Sequence, residues 1–348
     1  MKSQFRQTDP GDGPAVAAFL QRIFELDPGS PLTAPRHLHW KCWEEYPGWT
    51  GSRGFVMARE DGIVAHASAV ALSLVNAHQR LRTVHLIDWA ADPGSVGSGV
   101  TLLKRIAQMV DAVLVVGGSE MTQKVLPALG FKTLGEVTRF ARPIRPLRRL
   151  AGQKAGLRAG AQFARALLWS LQAPSIRTQG WGAQRIAPEQ LESAAVRWPR
   201  PGEGISLFER NAKTAAYFLK CPAAPMELYS VTKDGSSRGY FMLAYTPSQA
   251  RIVDFYIDGE EGGEAWRILL QLAITQASRN PSIAEVVSMG SDPVTSQALT
   301  DCGFHARGQS TLRLLPGKGV ELPAAPIRFQ MIDSDAAYLH ADQRSYWA

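Results

Sequence analysis

Asp88 and Asp92 are spaced D-x-x-x-D in "LIDWAAD", and Asp254 and Asp258 repeat that spacing in "VDFYID". A carboxylate at the end of an apolar strand can act as general base toward an amine or hydroxyl. Asp88 is therefore the first catalytic candidate. Its echo at Asp254 suits equally a residue that faces a polar neighbour or caps a loop. Asp92, ahead of Pro93, reads as a turn or N-cap residue. Ser119 and Glu120 follow the apolar run "AVLVVGG", where the next helix begins, and are further polar candidates. The surrounding "GGSEMTQ" also has the form of a helix cap.

Between these candidates lies "GSVGSG", with Gly94, Gly97 and Gly99 between a strand and a helix. Such a loop suits an anion. Helix-start N–H groups lack intrahelical acceptors, the helix dipole favours negative charge, and glycine admits close approach. A dinucleotide loop needs G-x-G-x-x-G. Counting from Gly97 puts Leu102 at the third position, so that reading fails. A plain Gly/Ser turn is the remaining competitor. The second half carries "DGEEGGEAW" at the same place, with Glu260, Glu261 and Glu264. These carboxylates satisfy the dipole themselves and repel a pyrophosphate by about 1 kcal/mol per charge pair even in bulk water.

Other chemistry is thin. His37, His39, His66, His78 and His85 show no zinc spacing, and no metal is expected. Cys42, Cys221 and Cys302 are odd in number and far apart, which suggests no disulfide framework. Cys42 beside Lys41 reads as a small buried hydrophobe. Trp40, Trp43, Tyr46 and Trp49 fit core or lid packing, with sugar stacking as the alternative if they line a cleft.

The positioning elements repeat. An amphipathic helix over 14–26 follows a capping Asp9, and two strands turn at Asp61-Gly62. Then come "LRTVHLIDWAAD", the helix "GVTLLKRIAQMV", the buried strand "AVLVVGG", the helix "MTQKVLPAL", Gly130-Phe131 and the strand "EVTRFARPI". The second half gives Lys220-Cys221 for Lys41-Cys42 and Asp234-Gly235 for Asp61-Gly62. It also gives Leu269-Leu270 for Leu102-Leu103, "AEVVSMGS" for "AVLVVGGS" and Gly303-Phe304 for Gly130-Phe131. Chain length fits two domains, with copy one over 1–146 and copy two over 184–348.

This order, with its glycine loop, resembles the GNAT acyltransferase fold. The resemblance implies an α/β class, two GNAT-like mixed-sheet domains in tandem joined by a basic helical linker over 147–183. It implies an acetyl-CoA or other acyl-CoA co-substrate in copy one and a degenerate copy two. Residues carried over as donor-binding are Trp89, Ala90, Ala91, Gly94, Val96, Gly97, Ser98, Gly99 and Val100, with Asp88, Ser119 and Glu120 as catalytic candidates. Gly94 stands where the family has Gln or Arg, and "MTQKVLPAL" lacks the family's tyrosine. The implied activity is N- or O-acyl transfer to a small-molecule or saccharide acceptor. Alternatives are a Fem-type aminoacyl transferase and an inactive GNAT-like binding module.

Net charge is +7, yet 137–188 holds ten Arg or Lys and no acid, so the remainder is net −3. A helix around 155–172 in this segment reads first as a packed linker. The second reading is contact with an anionic membrane through 139–172, supported by Trp169 and the arginines. RNA contact ranks last. The composition, 45% hydrophobic and 20% charged, is that of a soluble globular protein, with no secretory signal and no membrane-spanning run. The expected location is cytoplasmic, peripheral to the inner face of the membrane if 139–172 makes that contact. If the uncharged loop holds the donor, Gly97→Glu weakens acetyl-CoA binding in a calorimetric titration and Glu260→Gly leaves it unchanged. Equal affinity of Gly97→Glu and wild type would remove the assignment.

Overall fold

The computed structural model describes residues 3–150, 157–259 and 261–339. Glu260, Lys154 and the first two residues of the expected 155–172 helix lie outside them. In copy one the chain runs β1 (Gln4–Gln7), α1 (Gly13–Phe24), α2 (Pro35–Leu38), β2 (Gly54–Arg59), β3 (Gly62–Val75) and β4 (Arg80–Ala91). It continues through α3 (Ser98–Ala107), β5 (Ala112–Val116), α4 (Glu120–Ala128) and β6 (Lys132–Pro143). Helix α5 (Leu157–Leu171) follows.

Copy two contains β7 (Trp181–Ile186), β8 (Ser206–Phe208), α6 (Ala212–Leu219), β9 (Met226–Lys233), β10 (Ser236–Thr246) and β11 (Gln249–Ile257). Then come α7 (Glu264–Arg279), β12 (Glu285–Gly290), α8 (Pro293–Asp301), β13 (His305–Pro316) and β14 (Ile327–Arg328). The fold is mixed α/β with two like halves.

Local chemistry explains most boundaries. Asp9 caps the turn that leads into α1, accepting from the Gly11 N–H. Both hairpin turns sit where the Asp-Gly pairs predict, and Gly62 (φ 136°), Asp234 (φ 47°) and Gly235 (φ 81°) take positive φ. Gly130 (φ 92°) stops α4. The apolar face of α3 buries Leu102, Leu103 and Ile106 against Phe55, Val84 and Val113 on one side of the sheet. Helix α7 does the same in copy two with Trp266, Leu269 and Leu270. Sequence reasoning did not anticipate β1, a short polar edge strand that pairs antiparallel with β2.

The two halves do not make two sheets. Strand order is β1-β2-β3-β4-β5-β13-β6-β12-β11-β10-β9-β7. Strand β13 of copy two lies antiparallel between β5 and β6 of copy one. In turn β6 pairs with β12 of copy two, Glu285–Gly290 against Pro143–Thr138. Strands β6 and β13 thus each complete the other copy's sheet. A shared core covers the face opposite α3 and α7, joining Trp40, Tyr46 and Leu72 of copy one to Tyr217, Phe218 and Met242 of copy two. Trp40 stacks on Tyr217 at 4.9 Å and Tyr46 meets the same ring edge-on at 4.7 Å, so these two pack between the halves, whereas Trp43 packs with α1 and Trp49 on Phe55.

Separated halves leave β5 and β6 with unpaired ladder edges, which invite aggregation. Residues 1–146 expressed alone are expected to be insoluble, and co-expression with 147–348 to recover a complex that unfolds in one transition. A monomeric, cooperatively folded 1–146 in sedimentation and calorimetry would show that the exchange is dispensable.

Candidate functional site

In copy one β4 and β5 run parallel but pair over only Thr83–His85 with Ala112–Leu114. Beyond that they diverge. A bulge accompanies the divergence, because register slips by one between His66 and Ser68 on β3 opposite Asp88-Trp89. Asp88 adopts φ 49°, a left-handed conformation that costs a non-glycine residue about 1–2 kcal/mol. Its side chain is secured in return. Oδ2 accepts from Lys41 Nζ at 2.5 Å, with the two side chains only 19% and 5% exposed.

Lys41 sits on a π-helical turn, His39–Trp43, whose carbonyls point at one buried guanidinium. Arg53 donates to the carbonyls of Lys41 (3.1 Å), Glu44 (2.8 Å) and Trp40 (2.9 Å), and to the Tyr217 hydroxyl (3.0 Å). A cation under a cluster of carbonyl ends stabilises the turn. Copy two therefore helps aim Lys41 through Tyr217. Burial opposes the charge on Lys41, but Asp88 outweighs it and holds the ammonium above its ordinary range. Burial likewise opposes ionisation of Asp88. Lys41, His66 and a hydrogen bond from Ser68 prevail and hold it below the usual carboxylate range. A carboxylate so held is a weak base.

A third ionisable group arrives from far along the chain. After β14 the segment 329–339 crosses from copy two to copy one. Asp333 O accepts from His85 Nδ1 at 2.8 Å, and Arg251 anchors the carbonyls of Ala336 and Leu339, both at 2.6 Å. This brings Asp335 near Asp88 and Lys41. Burial pushes its carboxyl up to about 6, with Asp88 adding to the rise and Lys41 opposing it. His85 and His66 are each driven down to about 4 by burial and stand neutral at pH 7. Cys42 is buried, with its thiol pushed up by burial, and is no nucleophile.

These groups border a cavity of about 450 Å³ in the β4/β5 opening. Lys41, Asp88 and Asp335 share it with Leu20, Phe24, Leu26 and Leu32 from α1 and the loop after it, and with Val115, Val116 and Leu339. Polar groups are few and converge, as in a small-molecule site. Ser119 also lines it and caps α4, accepting from the Thr122 N–H at 3.2 Å. Glu120 is exposed and pairs with Lys124 at 2.6 Å, outside the cavity lining.

The glycine loop continues from the outer end of β4. Gly97 caps α3 at φ 80°, and a Cβ there would meet nothing within 4 Å. Gly94, Val96 and Gly97 are exposed at the tip. Ser98 is buried, donating to the carbonyls of Ser95 and Val64. Gly99 is packed so that a Cβ would come within 3.1 Å of Ala91 and 3.4 Å of the Trp89 ring nitrogen. Trp89 Nε1 donates to Gly99 O at 3.0 Å and braces the loop. Ala90 is buried against α1, and Val100 is half-buried in the first turn. Asp92 holds the Gly94 N–H at 2.9 Å and is paired with Arg22, so it is a turn residue. From Pro93 to Val100 the helix start carries no charged side chain, with Asp92 just ahead of it.

Copy two has the same layout with both features closed. Glu261, on its loop, lies in a fork from the buried Arg328 at 3.1 and 3.2 Å, and Arg328 also pairs with Asp292. The β11/β12 opening is filled. Gln330 bonds both main-chain groups of Phe255, and Asp254 accepts from Arg210 at 2.9 Å and the Tyr240 hydroxyl at 2.7 Å. The Lys-Cys echo is positional only, since Lys220 is exposed and pairs with Glu44 at 3.0 Å. Reading the sequence missed Lys41, Arg53 and Asp335. The Lys41-Cys42 repeat was a signal for the first, while nothing local marks the other two. Among the described residues no cluster of His, Cys, Asp and Glu is placed to hold a metal.

No protein-family model and no curated protein matches the sequence. Solved structures do. A tandem GNAT protein from the clavulanic acid biosynthesis pathway aligns with 92% of this chain and 100% of its own, at TM-score 0.55 and 13% identity. A GCN5-related N-acetyltransferase from Anabaena variabilis covers 90% of this chain and 72% of its own, at 0.56 and 12%. Saccharomyces cerevisiae N-myristoyltransferase with bound myristoyl-CoA covers 98% and 85%, at 0.59 and 11%. The chain has the fold of the GNAT acyltransferases, a fold shared with N-myristoyltransferase.

Removing one partner of a buried ion pair strands the other. Lys41→Met is expected to cost about 3–5 kcal/mol near neutral pH in urea unfolding. Without Lys41, burial raises the Asp88 pKa above its unfolded value. The deficit is then greatest above that raised pKa and shrinks as pH falls through it and the carboxyl is neutralised. A deficit that does not change with pH would show that Asp88 is not the group left unpaired.

Proposed function

We propose that this protein is an acyl-CoA-dependent N-acyltransferase with one working site, in copy one. The observation that carries the reading is a helix-start loop without charged side chains leading, along β4, into an open cavity with a buried lysine and two half-buried carboxylates. In copy two both the loop and the opening are closed by the protein's own side chains. The diphosphate of the donor is assigned to the N–H groups at Val96, Gly97, Gly99 and Val100, and its thioester to the Asp88-Trp89 bulge. The donor supplies the activated acyl carbon.

The residues set the rest of the chemistry. Asp88, Lys41 and ionised Asp335 together carry one net negative charge, which favours an amine over an anionic acceptor. The apolar walls favour an amine with an apolar body over a saccharide. In the transfer, the nitrogen bonds to the thioester carbon, the carbon–sulfur bond breaks, and one proton passes from nitrogen to base. Asp335, with its carboxyl at about 6, is matched to that task near neutral pH, whereas Asp88 is held ionised by Lys41. The leaving thiolate takes up a proton as CoA departs. Ser119 lies at the cavity wall but has its hydroxyl engaged in capping.

Acetyl-CoA and longer acyl-CoAs should raise the thermal midpoint, and CoA release should appear when an aromatic amine is added. A weakly basic amine keeps its own ionisation away from the relevant range. The rate is expected to rise with pH through about 6, as Asp335 loses its proton. Asp335→Asn should lower kcat about 10²–10⁴-fold and remove that limb. A retained limb in Asp335→Asn would exclude it as the base. A flat thermal-shift panel would exclude the acyl-CoA reading altogether.

A further inference from the structure

Helix α5 presents the wrong face to the protein. Its leucine stripe is Leu157, Ala161, Ala164, Leu168 and Leu171, spaced i, i+4, i+7, i+11 and i+14. A helix that only packs on a domain buries such a stripe. Here Leu157 is 97% exposed, Leu168 51% and Leu171 76%. Leu147, in the adjoining turn that packs on α5, is 72% exposed.

The opposite side does the anchoring. Ala166 is fully buried, and Trp169 stacks on His305 at 3.9 Å with the guanidinium groups of Arg165 and Arg307 at 5.1 and 5.3 Å from its ring centre. Trp169 is therefore an inward anchor, not the outward interfacial residue that the sequence suggested.

Charge accompanies the stripe. The segment 137–188 has ten basic residues and no acidic one. At least four of the ten are engaged within the fold, Arg165 at Trp169 and Arg185 at Glu227 (3.2 Å) among them. Arg142 caps the α8 end at Cys302 O (2.5 Å), and Arg145 caps the α7 end at Ile283 O (2.7 Å) and Asn280 O (3.1 Å). Arg177 is exposed.

We propose that α5 and the turn before it form a docking surface for an anionic lipid bilayer. The outward stripe holds only Leu and Ala. It lacks the Trp, Tyr and Arg anchors that dominate protein–protein hot spots. A bilayer surface asks only for apolar area to immerse and cationic flanks to meet its headgroups. No helix among the described residues is long and apolar enough to cross a membrane, so the contact is peripheral.

The full chain is tested by flotation with vesicles of phosphatidylglycerol in phosphatidylcholine, and with phosphatidylcholine alone. It should rise with the first, not the second, and the bound fraction should fall as salt is added. Leu168→Glu and Leu171→Glu should each weaken partitioning by about tenfold. Their thermal midpoints and acyl-CoA shifts should match wild type, because both side chains are exposed. The proposal is overturned by no flotation on the anionic vesicles, by equal flotation on both, or by unchanged flotation of the double variant. It is also overturned if the double variant's only effect is to dissociate a dimer in size-exclusion chromatography, since the face would then be a contact between copies.

Discussion

Every other feature depends on how the two halves satisfy each other's strand edges. A strand exposes a row of N–H and C=O groups on each side, and those groups must pair. Here β5 meets β13, and β6 meets β12, across the boundary between copies. The exchange locks the halves into one sheet. With β5 paired to β13 on its far side, β4 is free to leave β5 after three residues. The opening between them is not a packing defect, because the bulge at Asp88 re-aims β4 and a charged side chain holds the bulge in place.

The same plan has been spent in two ways. Copy one keeps its opening accessible and lines it with Lys41, Asp88 and Asp335. Copy two fills the equivalent space with Arg210, Gln330 and Tyr240 and closes its loop with a Glu261–Arg328 fork. Burying several charges is rarely a net source of stability, but here Asp88, Asp254, Asp333, Asp292 and Glu261 each face a cation, which keeps the cost low. Filling one half also frees the chain after β14 to run into the other, so copy two supplies copy one with Asp335 as well as with the tyrosine that steadies Arg53.

Much of this was legible in the residues. The Asp-Gly turns, the amphipathic α3 and α7, the glycine stops and the repeat itself rest on local physics, and each appears where its residues predict. The contrast between "GSVGSG" and "GEEGGE" was also legible, because a charge at a helix start is a one-residue fact. Asp88 could be picked out as a carboxylate at the end of a strand, but not as half of an ion pair. The second carboxylate of the cavity, Asp335, lies 247 positions further along in an unremarkable tail.

The sequence by itself determined the two-fold α/β plan, the element order, the uncharged loop and the concentration of positive charge in the middle. These follow from period, turn chemistry and sign of charge, all read within a few residues. Only the tertiary structure decided that the halves trade strands, that Lys41 neutralises Asp88, that Asp335 joins them, and that α5 turns its leucines outward. Those outcomes depend on which distant groups share a low-dielectric space or a ladder edge. Pairing of that kind is set by the closed packing of the whole chain, so no local window contains it.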